Sequence, residues 1–480
     1  MANTTEKRGQ WGSRWGFILA AAGSAVGLGN IWRFPYLTGE NGGGAFVLVY
    51  LICVIFIGLP LLYNEIGLGR LTGKNPIGAV EALEKKKGLG GLPWWLTGLL
   101  CIMVCFFVLS YYSVIAGWTI GYIYNTVIGA KVEFGEFIGD AGTVIPLLGV
   151  FMLMTIGIVL GGVSGGIEKA AKILMPMLLI IVVCLIAYSL TLPGAMAGVK
   201  YYLTPDLSKI NGDVVLAALG QAFFSMSVGW GLMVTYGSYL PKDQNMVGAG
   251  AWVAFADTVV ALLGGLMIFP AVFAFSKDPA GGPTLVFQVL PEVFAAMPGG
   301  AIVGGLFFLL LMVAALTSSI SMLEVPVSYL LDEKKWSRKK AAWAVGGLAF
   351  LFGIPSALSQ AKTGLFSVYN EVTNPIGGIY NILPEGMSFL DVMDQYWGTM
   401  AVVVICLLFS LIVGWVIPTK HVADELDSGS LLDENGNIIK PGIFNKGIIG
   451  GLSLATLWVF FIRFVCPIVI ILMLVFKVSE

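Results

Sequence analysis

Charge is scarce in this chain. Asp, Glu, Lys and Arg make up 11% of its 480 residues, against about 25% in soluble domains, which excludes an ordinary water-soluble protein. Histidine is almost missing. His421, in a polar loop, stands alone and leaves no histidine cluster for a metal centre or proton relay. That disfavours a membrane enzyme, which needs His, Cys or paired carboxylates converging on a metal or substrate. The six cysteines, Cys53, Cys101, Cys105, Cys184, Cys406 and Cys466, lie in apolar runs without a CxxC pair, and read as packed thiols rather than disulfides or metal ligands. Gly73-Lys74 is followed by Asn75 and lacks the upstream glycine of a phosphate-cradling loop, so an ATP-driven pump is removed. The formal net charge of −1 implies no basic surface and no nucleic-acid partner. No cleavable signal peptide is visible ahead of the first apolar run.

What the chain has is apolar length. Hydrophobic residues reach 57% and the mean hydropathy is +0.88. The runs are long enough for helices crossing a bilayer, which takes about 20 residues, and they do not alternate as barrel strands must. The reading is an all-α polytopic membrane protein with eleven spans, near 14–36, 44–70, 93–125, 143–161, 167–190, 214–240, 248–275, 298–331, 338–356, 398–417 and 448–475. With the N-terminus cytoplasmic, only Lys131, Lys200, Lys209, Lys277, Lys362 and Lys477 fall outside, while Lys85 to Lys87 and the cluster from Lys334 to Lys340 lie inside. The expected topology therefore has a cytoplasmic N-terminus and an extracytoplasmic C-terminus in the cell's inner (plasma) membrane. The expected organisation is a cytoplasmic tail, 1–13, a first five-helix repeat, 14–190, an inverted second repeat, 214–417, and helix 11 at 448–475.

Two spans carry breaks. Glycine is abundant at 63 residues, and many glycines serve only close helix contacts. In span 1, however, Gly23-Ser24-Ala25-Val26-Gly27-Leu28-Gly29-Asn30 sets three glycines and two polar side chains at mid-membrane, and span 6 has Ser225-Met226-Ser227-Val228-Gly229-Trp230-Gly231. A helix with such a centre unwinds and leaves amides and carbonyls that no lipid can satisfy. The two breaks stand five helices apart, in corresponding places of two five-helix units. Paired breaks of this kind point to an inverted-repeat transporter with its site at the break. The plainer reading is two glycine-rich packing seams.

The residues that carry these breaks also carry a resemblance. WGSRWGFILAAAGSAVGLGNIWRFPYLTGENGGGAF, residues 11–46, resembles the first helix of the neurotransmitter:sodium symporters; so, in order, do Glu65 to Arg70 (EIGLGR), Tyr111-Tyr112 with Trp118, GQAFFSMSVGWG at 220–231 and LTSSISMLE at 316–324. The resemblance covers helices 1 to 10. It implies one sodium site, Na1, from the Ala25 carbonyl, Asn30, the Ser225 hydroxyl, Asp257 and the substrate carboxylate. A second, Na2, would take the carbonyls of Gly23, Val26 and Ala314 with the hydroxyls of Thr317 and Ser318. Oxygen donors suit a hard cation.

The resemblance also bears on the substrate. Amine transporters of the family carry aspartate where this chain has Gly27, so Gly27 argues for an amino acid, which brings its own carboxylate. The implied pocket comprises Ala25, Gly27, Val108, Tyr112, Phe224, Ser225, Ser227, Trp230, Ser318 and Met322, with the amides of Leu28 and Gly29 facing the carboxylate. Its apolar and aromatic character points to hydrophobic L-amino acids, aliphatic or aromatic. Chloride-dependent members bind chloride among residues matching Tyr50, Gln221, Ser225, Asp257 and Ala261. Here Asp257 replaces the common asparagine with a fixed negative charge and Ala261 offers no hydroxyl, so chloride independence is expected. The alternative for Asp257 is a protonated, hydrogen-bonded helix contact.

Gates and hinges follow by the same resemblance. Arg33 and Asp394 match an outer gate, Arg8 and Asp332 an inner one, with Trp11 as a plug; for Arg8 and Asp332 the plainer reading is solvated charge at a helix end. Gly166 and Pro176, nine residues between them, match a helix 5 pattern associated with unwinding, or else mark a static kink. Glu65 and Glu324 read as hydrogen-bonded to backbone, with proton coupling the alternative, and Arg463 as pairing within the bundle or with headgroups. The expected function is Na+-coupled symport by alternating access, with the amino acid, Na+ (two ions) and the lipid bilayer as partners, in a monomer or homodimer. A transporter-fold sensor that binds without flux is the alternative; a channel lacks the continuous polar pore it needs.

Overall fold

Two helices of 33 residues, Trp95–Val127 and Gly300–Asp332, form the spine of the molecule. At 1.5 Å per residue each extends about 50 Å, well beyond the roughly 30 Å hydrocarbon core, and they pack on each other more extensively than any other pair of elements. The computed structural model describes residues 9–87, 93–130, 132–242, 244–280, 285–361, 387–427, 444–449 and 452–479. Among these, nine helices are long and apolar enough to cross a membrane, and the bent pair Arg14–Ala25 and Gly29–Glu40 makes a tenth. Span 6 is divided into Gly212–Ser225 and Leu232–Gly237, too short singly to cross. The protein is thus an all-α multi-pass membrane protein with helices 1 and 6 both broken.

Burial separates scaffold from periphery. In the apolar window of each central helix 67% of residues are inside, against 28% in Leu454–Phe476, helix 11, which turns its remaining apolar side chains outward to lipid. Helix starts are set by short polar side chains that occupy the free first-turn amides. Ser13 accepts from the Gly16 amide, Asn211 from Val214 and Asn245 from Gly248, each at 2.9 Å.

The ends of two spans differ from the sequence expectation. Helix 10 starts at Phe389, not 398, because Ser388 and Asp391 form a reciprocal capping box and the chain continues through a widened turn at Asp394–Ala401. Helix 11 starts at Leu454, not 448; the preceding residues form a two-stranded ribbon, Gly447–Ile449 with Leu452–Ser453. Polar caps, not the apolar run, decide both starts. A short helix, Thr419–Asp427, follows helix 10. It brings Glu425 to within 3.0 Å of the buried Arg70 guanidinium and 2.6 Å of Lys242, so the arginine of the EIGLGR motif fastens helix 2 to two connecting segments. Arg463 donates to the Gly414 carbonyl at 2.7 Å and Thr419 at 3.1 Å, closing the end of helix 10 from inside the bundle.

Candidate functional site

The two breaks meet at the centre of the bundle. Helix 1 stops at Val26, whose backbone is extended, and resumes at Gly29 after a bend of 49°. In helix 6, Ser227, Gly229 and Gly231 have φ of +52°, +81° and +69°. Glycine accepts this geometry freely, while a residue with a Cβ is strained by about 1–2 kcal/mol. At Ser227 that strain has a local offset: its hydroxyl donates to the Ser24 carbonyl at 3.1 Å, tying one break to the other. Ser318 on helix 8 donates to the same carbonyl, also at 3.1 Å. The Glu65 carboxylate accepts from the freed Gly229 amide at 2.5 Å, a backbone contact of the kind expected from the sequence.

One set of oxygens gathers below this junction. Asn30, Ser225 and Asp257 are fully buried. The Asn30 amide donates to the Asp257 carboxylate at 2.7 Å and the Ser225 hydroxyl at 3.0 Å, and Ser225 donates to both carboxylate oxygens at 3.0 and 2.8 Å. Tyr50 donates to Ser225 at 3.3 Å, and Gln221 to the Gly29 carbonyl at 2.8 Å. A second set lies between helices 1 and 8, where the Thr317 hydroxyl is 3.3 Å from the Val26 carbonyl and 2.9 Å from that of Ala314. A Cβ on Gly23 would lie 3.4 Å from that of Thr317. The first set offers hydroxyl, amide and carboxylate oxygen, the second carbonyl and hydroxyl oxygen. No group of three or more His, Cys, Asp or Glu suited to a metal occurs among the described residues.

The two breaks border a small cavity lined by Ser24, Ala25, Gly27, Gly29, Tyr112, Phe224, Ser227, Trp230, Leu232, Ser318 and Met322. Three expected lining residues stand behind its wall. Ser225 is turned to Asp257, Val108 is packed in the interior, and Leu28 contributes its amide, which donates to the Tyr112 hydroxyl at 3.3 Å. Ser24 and Leu232 take their places. Gly27 has no room for a side chain, since a Cβ would collide with the Ser318 hydroxyl and lie 3.1 Å from that of Tyr112.

The two faces of the bundle differ. On the face bearing the N-terminus, Trp11 is 4% exposed, donates its indole N–H to the Tyr236 carbonyl at 2.9 Å and packs edge-on against Phe17, Tyr236 and Tyr239. Asp332 accepts from the Asn75 amide and side chain at 3.3 and 3.2 Å; its expected partner, Arg8, lies outside the described residues. On the opposite face Arg33 and Asp394 do not form an ion pair. Arg33 rests 4.8 Å over the half-buried Phe224 ring, and Asp394 instead accepts from the Tyr111 hydroxyl at 2.6 Å. Helix 5 is wound through both Gly166 and Pro176, and a side chain at Gly166 would collide with backbone at Ile158 and Gly161.

Sequence reasoning missed three contacts. Glu168 accepts from the Gly12 amide at 2.7 Å, the Ser13 hydroxyl at 2.9 Å and Lys172 at 2.6 Å, clasping helix 5 to the start of helix 1. Cys105 donates to the freed Trp230 carbonyl at 3.2 Å. Glu324 bonds not to backbone but to side chains: Arg338 at 2.7 and 3.0 Å and the Tyr239 hydroxyl at 2.8 Å. Glu324 is wholly buried, and the Arg338 guanidinium beside it offsets the cost of burying its charge. Apart from Lys172, an i,i+4 neighbour of Glu168, no sequence signal marks these partners, because they lie on segments distant in the chain.

Known proteins share this arrangement. The model of the sodium:neurotransmitter symporter family matches residues 8–132 and 130–369. An uncharacterised sodium-dependent transporter of Bacillus subtilis is 38% identical over 97% of both chains, and one of Haemophilus influenzae is 34% identical over 99% of both. The crystal structure of MhsT in complex with L-phenylalanine superposes with a TM-score of 0.81 at 40% identity, covering 98% of this chain and 99% of that one. The chain therefore belongs to the sodium:neurotransmitter symporter family, a family of transporters rather than enzymes.

Proposed function

We propose that the protein is a Na+-coupled symporter that imports hydrophobic L-amino acids by alternating access without needing chloride. It would sit in the inner membrane, N-terminus cytoplasmic and C-terminus extracytoplasmic. The observation that carries this reading is the convergence of both helix breaks, and two sets of hard oxygen donors, on one apolar and aromatic cavity. In this reading the first ion takes the Ala25 carbonyl, Asn30, Ser225, Asp257 and the substrate carboxylate. The second takes the carbonyls of Gly23, Val26 and Ala314 with Thr317 and Ser318. Because the substrate ligates the first ion, each raises the other's affinity, and the effect is reciprocal.

Gly27 carries no side-chain carboxylate of the kind an amine transporter has there, and the half-helix starting at Gly29 presents amides to an anion beside the Tyr112 hydroxyl. MhsT's bound L-phenylalanine supports an apolar side chain in such a site. Asp257 supplies beside the first ion the negative charge that chloride would otherwise bring. In this reading the packing of Trp11 and the separation of Arg33 from Asp394 fit a conformation with its inner side shut. Ion pairs that must break in every cycle serve best when weak.

Equilibrium binding of labelled L-leucine and L-phenylalanine to the purified protein tests the site. Binding about a hundredfold tighter in Na+ than in equimolar K+, equal in chloride and gluconate, is expected from a coupling of about 3 kcal/mol. Equal binding in Na+ and K+ would overturn the reading.

The Glu168 clasp gives a further expectation. Glu168→Gln replaces charge-assisted bonds worth about 1.5–3 kcal/mol with neutral ones, so amide hydrogen exchange at residues 12–17 should quicken by about tenfold or more. Unchanged exchange there would show that the carboxylate does not hold the inner end of helix 1.

A further inference from the structure

We infer that the Trp230 indole N–H is a specificity-determining donor, and that the site favours neutral amino acids whose side chain bears a hydroxyl over their purely apolar isosteres. The inference rests on the symport reading and names its substrate more narrowly. Trp230 is 2% exposed and lines the central cavity, yet its Nε1 has no hydrogen-bond acceptor among the described residues. Trp11 and Trp458 donate to backbone carbonyls at 2.9 and 3.0 Å, and the buried Trp118, whose Nε1 also has no acceptor among the described residues, does not line the cavity. A buried donor without a partner is costly, and the structure holds this one in place. Its carbonyl is fixed by Cys105, its ring meets Phe224 edge-on at 5.6 Å, and the neighbouring Gly229 and Gly231 hold the break's geometry. The indole is therefore positioned before substrate arrives.

The chemistry of the surrounding wall narrows the acceptor. Ser227 spends its hydroxyl proton on the Ser24 carbonyl, so its oxygen keeps lone pairs for a donor. A substrate hydroxyl fits both needs, accepting from Trp230 and donating to a serine oxygen. A carboxamide would bring two N–H donors to satisfy, and a second carboxylate would bring an unpaired charge into an apolar cavity. A site built around a buried donor discriminates against a substrate that leaves it unpaired.

The test compares near-isosteric pairs, L-threonine with L-valine and L-tyrosine with L-phenylalanine, by Na+-dependent binding to the full-length protein in detergent. In at least one pair the hydroxyl member is expected to bind about tenfold more tightly, the scale of one satisfied buried donor. That ratio should fall to about one or below in Trp230→Phe, which keeps an aromatic ring and lacks the N–H. Reading the ratio within each protein cancels whatever the substitution does to both members alike. Na+-dependent binding of all four compounds with no preference in the wild type, or a preference unchanged in Trp230→Phe, would overturn the inference while leaving symport intact. Should Trp230→Phe not fold, Trp230→Tyr, which keeps a ring-edge donor, must retain a hydroxyl preference, and its loss there overturns the inference. Absence of any Na+-dependent amino-acid binding would instead count against the symport reading and this inference together.

Discussion

Gly27→Asp is expected to abolish Na+-driven amino-acid uptake, lowering it by at least about a hundredfold. Two effects act at one atom. The first is space: a Cβ at residue 27 collides with the Ser318 hydroxyl and stands 3.1 Å from that of Tyr112, and both side chains belong to fully packed helices. The second is charge. The added carboxylate would take the place assigned to the substrate's own carboxylate beside the amide of Gly29, so amino acids would meet repulsion where they should meet a cradle. Gly27→Ala separates the two, since it adds the steric load without the charge. Uptake of labelled L-phenylalanine is expected to fall about tenfold in the alanine variant and further in the aspartate variant. Retention of more than a tenth of wild-type uptake by Gly27→Asp would show that the carboxylate is held elsewhere.

Asp257→Asn is expected to weaken Na+ activation of uptake by about 10- to 100-fold. The Asp257 carboxylate is fully buried and accepts from Asn30 and Ser225, both residues of the proposed first sodium site. A neutral amide of the same shape preserves the packing but removes a unit charge close to the ion. With an effective dielectric near 20, a charge pair at 4 Å is worth about 4 kcal/mol before desolvation is subtracted; a net loss of about 1.4–2.7 kcal/mol gives the stated range. Wild-type uptake should be unchanged when gluconate replaces chloride. A Na+ dependence unaltered in Asp257→Asn would place the first ion away from this carboxylate and return Asp257 to a structural role.

The fold was legible because its evidence is local. Long apolar runs mark membrane helices under any packing, and the glycine- and serine-rich stretches around Val26 and at Ser227 to Gly231 interrupt helices 1 and 6. The oxygen donors were legible through family resemblance, and the structure brings Asn30 beside Ser225 and Asp257, and Thr317 beside Val26. Helix ends were less legible. Helix 10 starts at Phe389, nine residues before the expected boundary at 398, because of the capping box of Ser388 and Asp391, and an apolar count does not register polar caps. Long-range pairings were not legible at all. Glu168 meets Gly12 across 156 residues and Cys105 meets the Trp230 carbonyl across 125; nothing in the neighbouring sequence names either partner.

Concentrative uptake tests the central claim most directly. In proteoliposomes with a tenfold inward Na+ gradient and no membrane potential, each coupled ion contributes about 1.4 kcal/mol. One ion then supports up to about tenfold accumulation of labelled L-phenylalanine, and two up to about a hundredfold. The expected result is an internal concentration above the external one, collapsing when a sodium ionophore removes the gradient. Equilibration to equal concentrations, with or without the gradient, would contradict Na+-coupled symport.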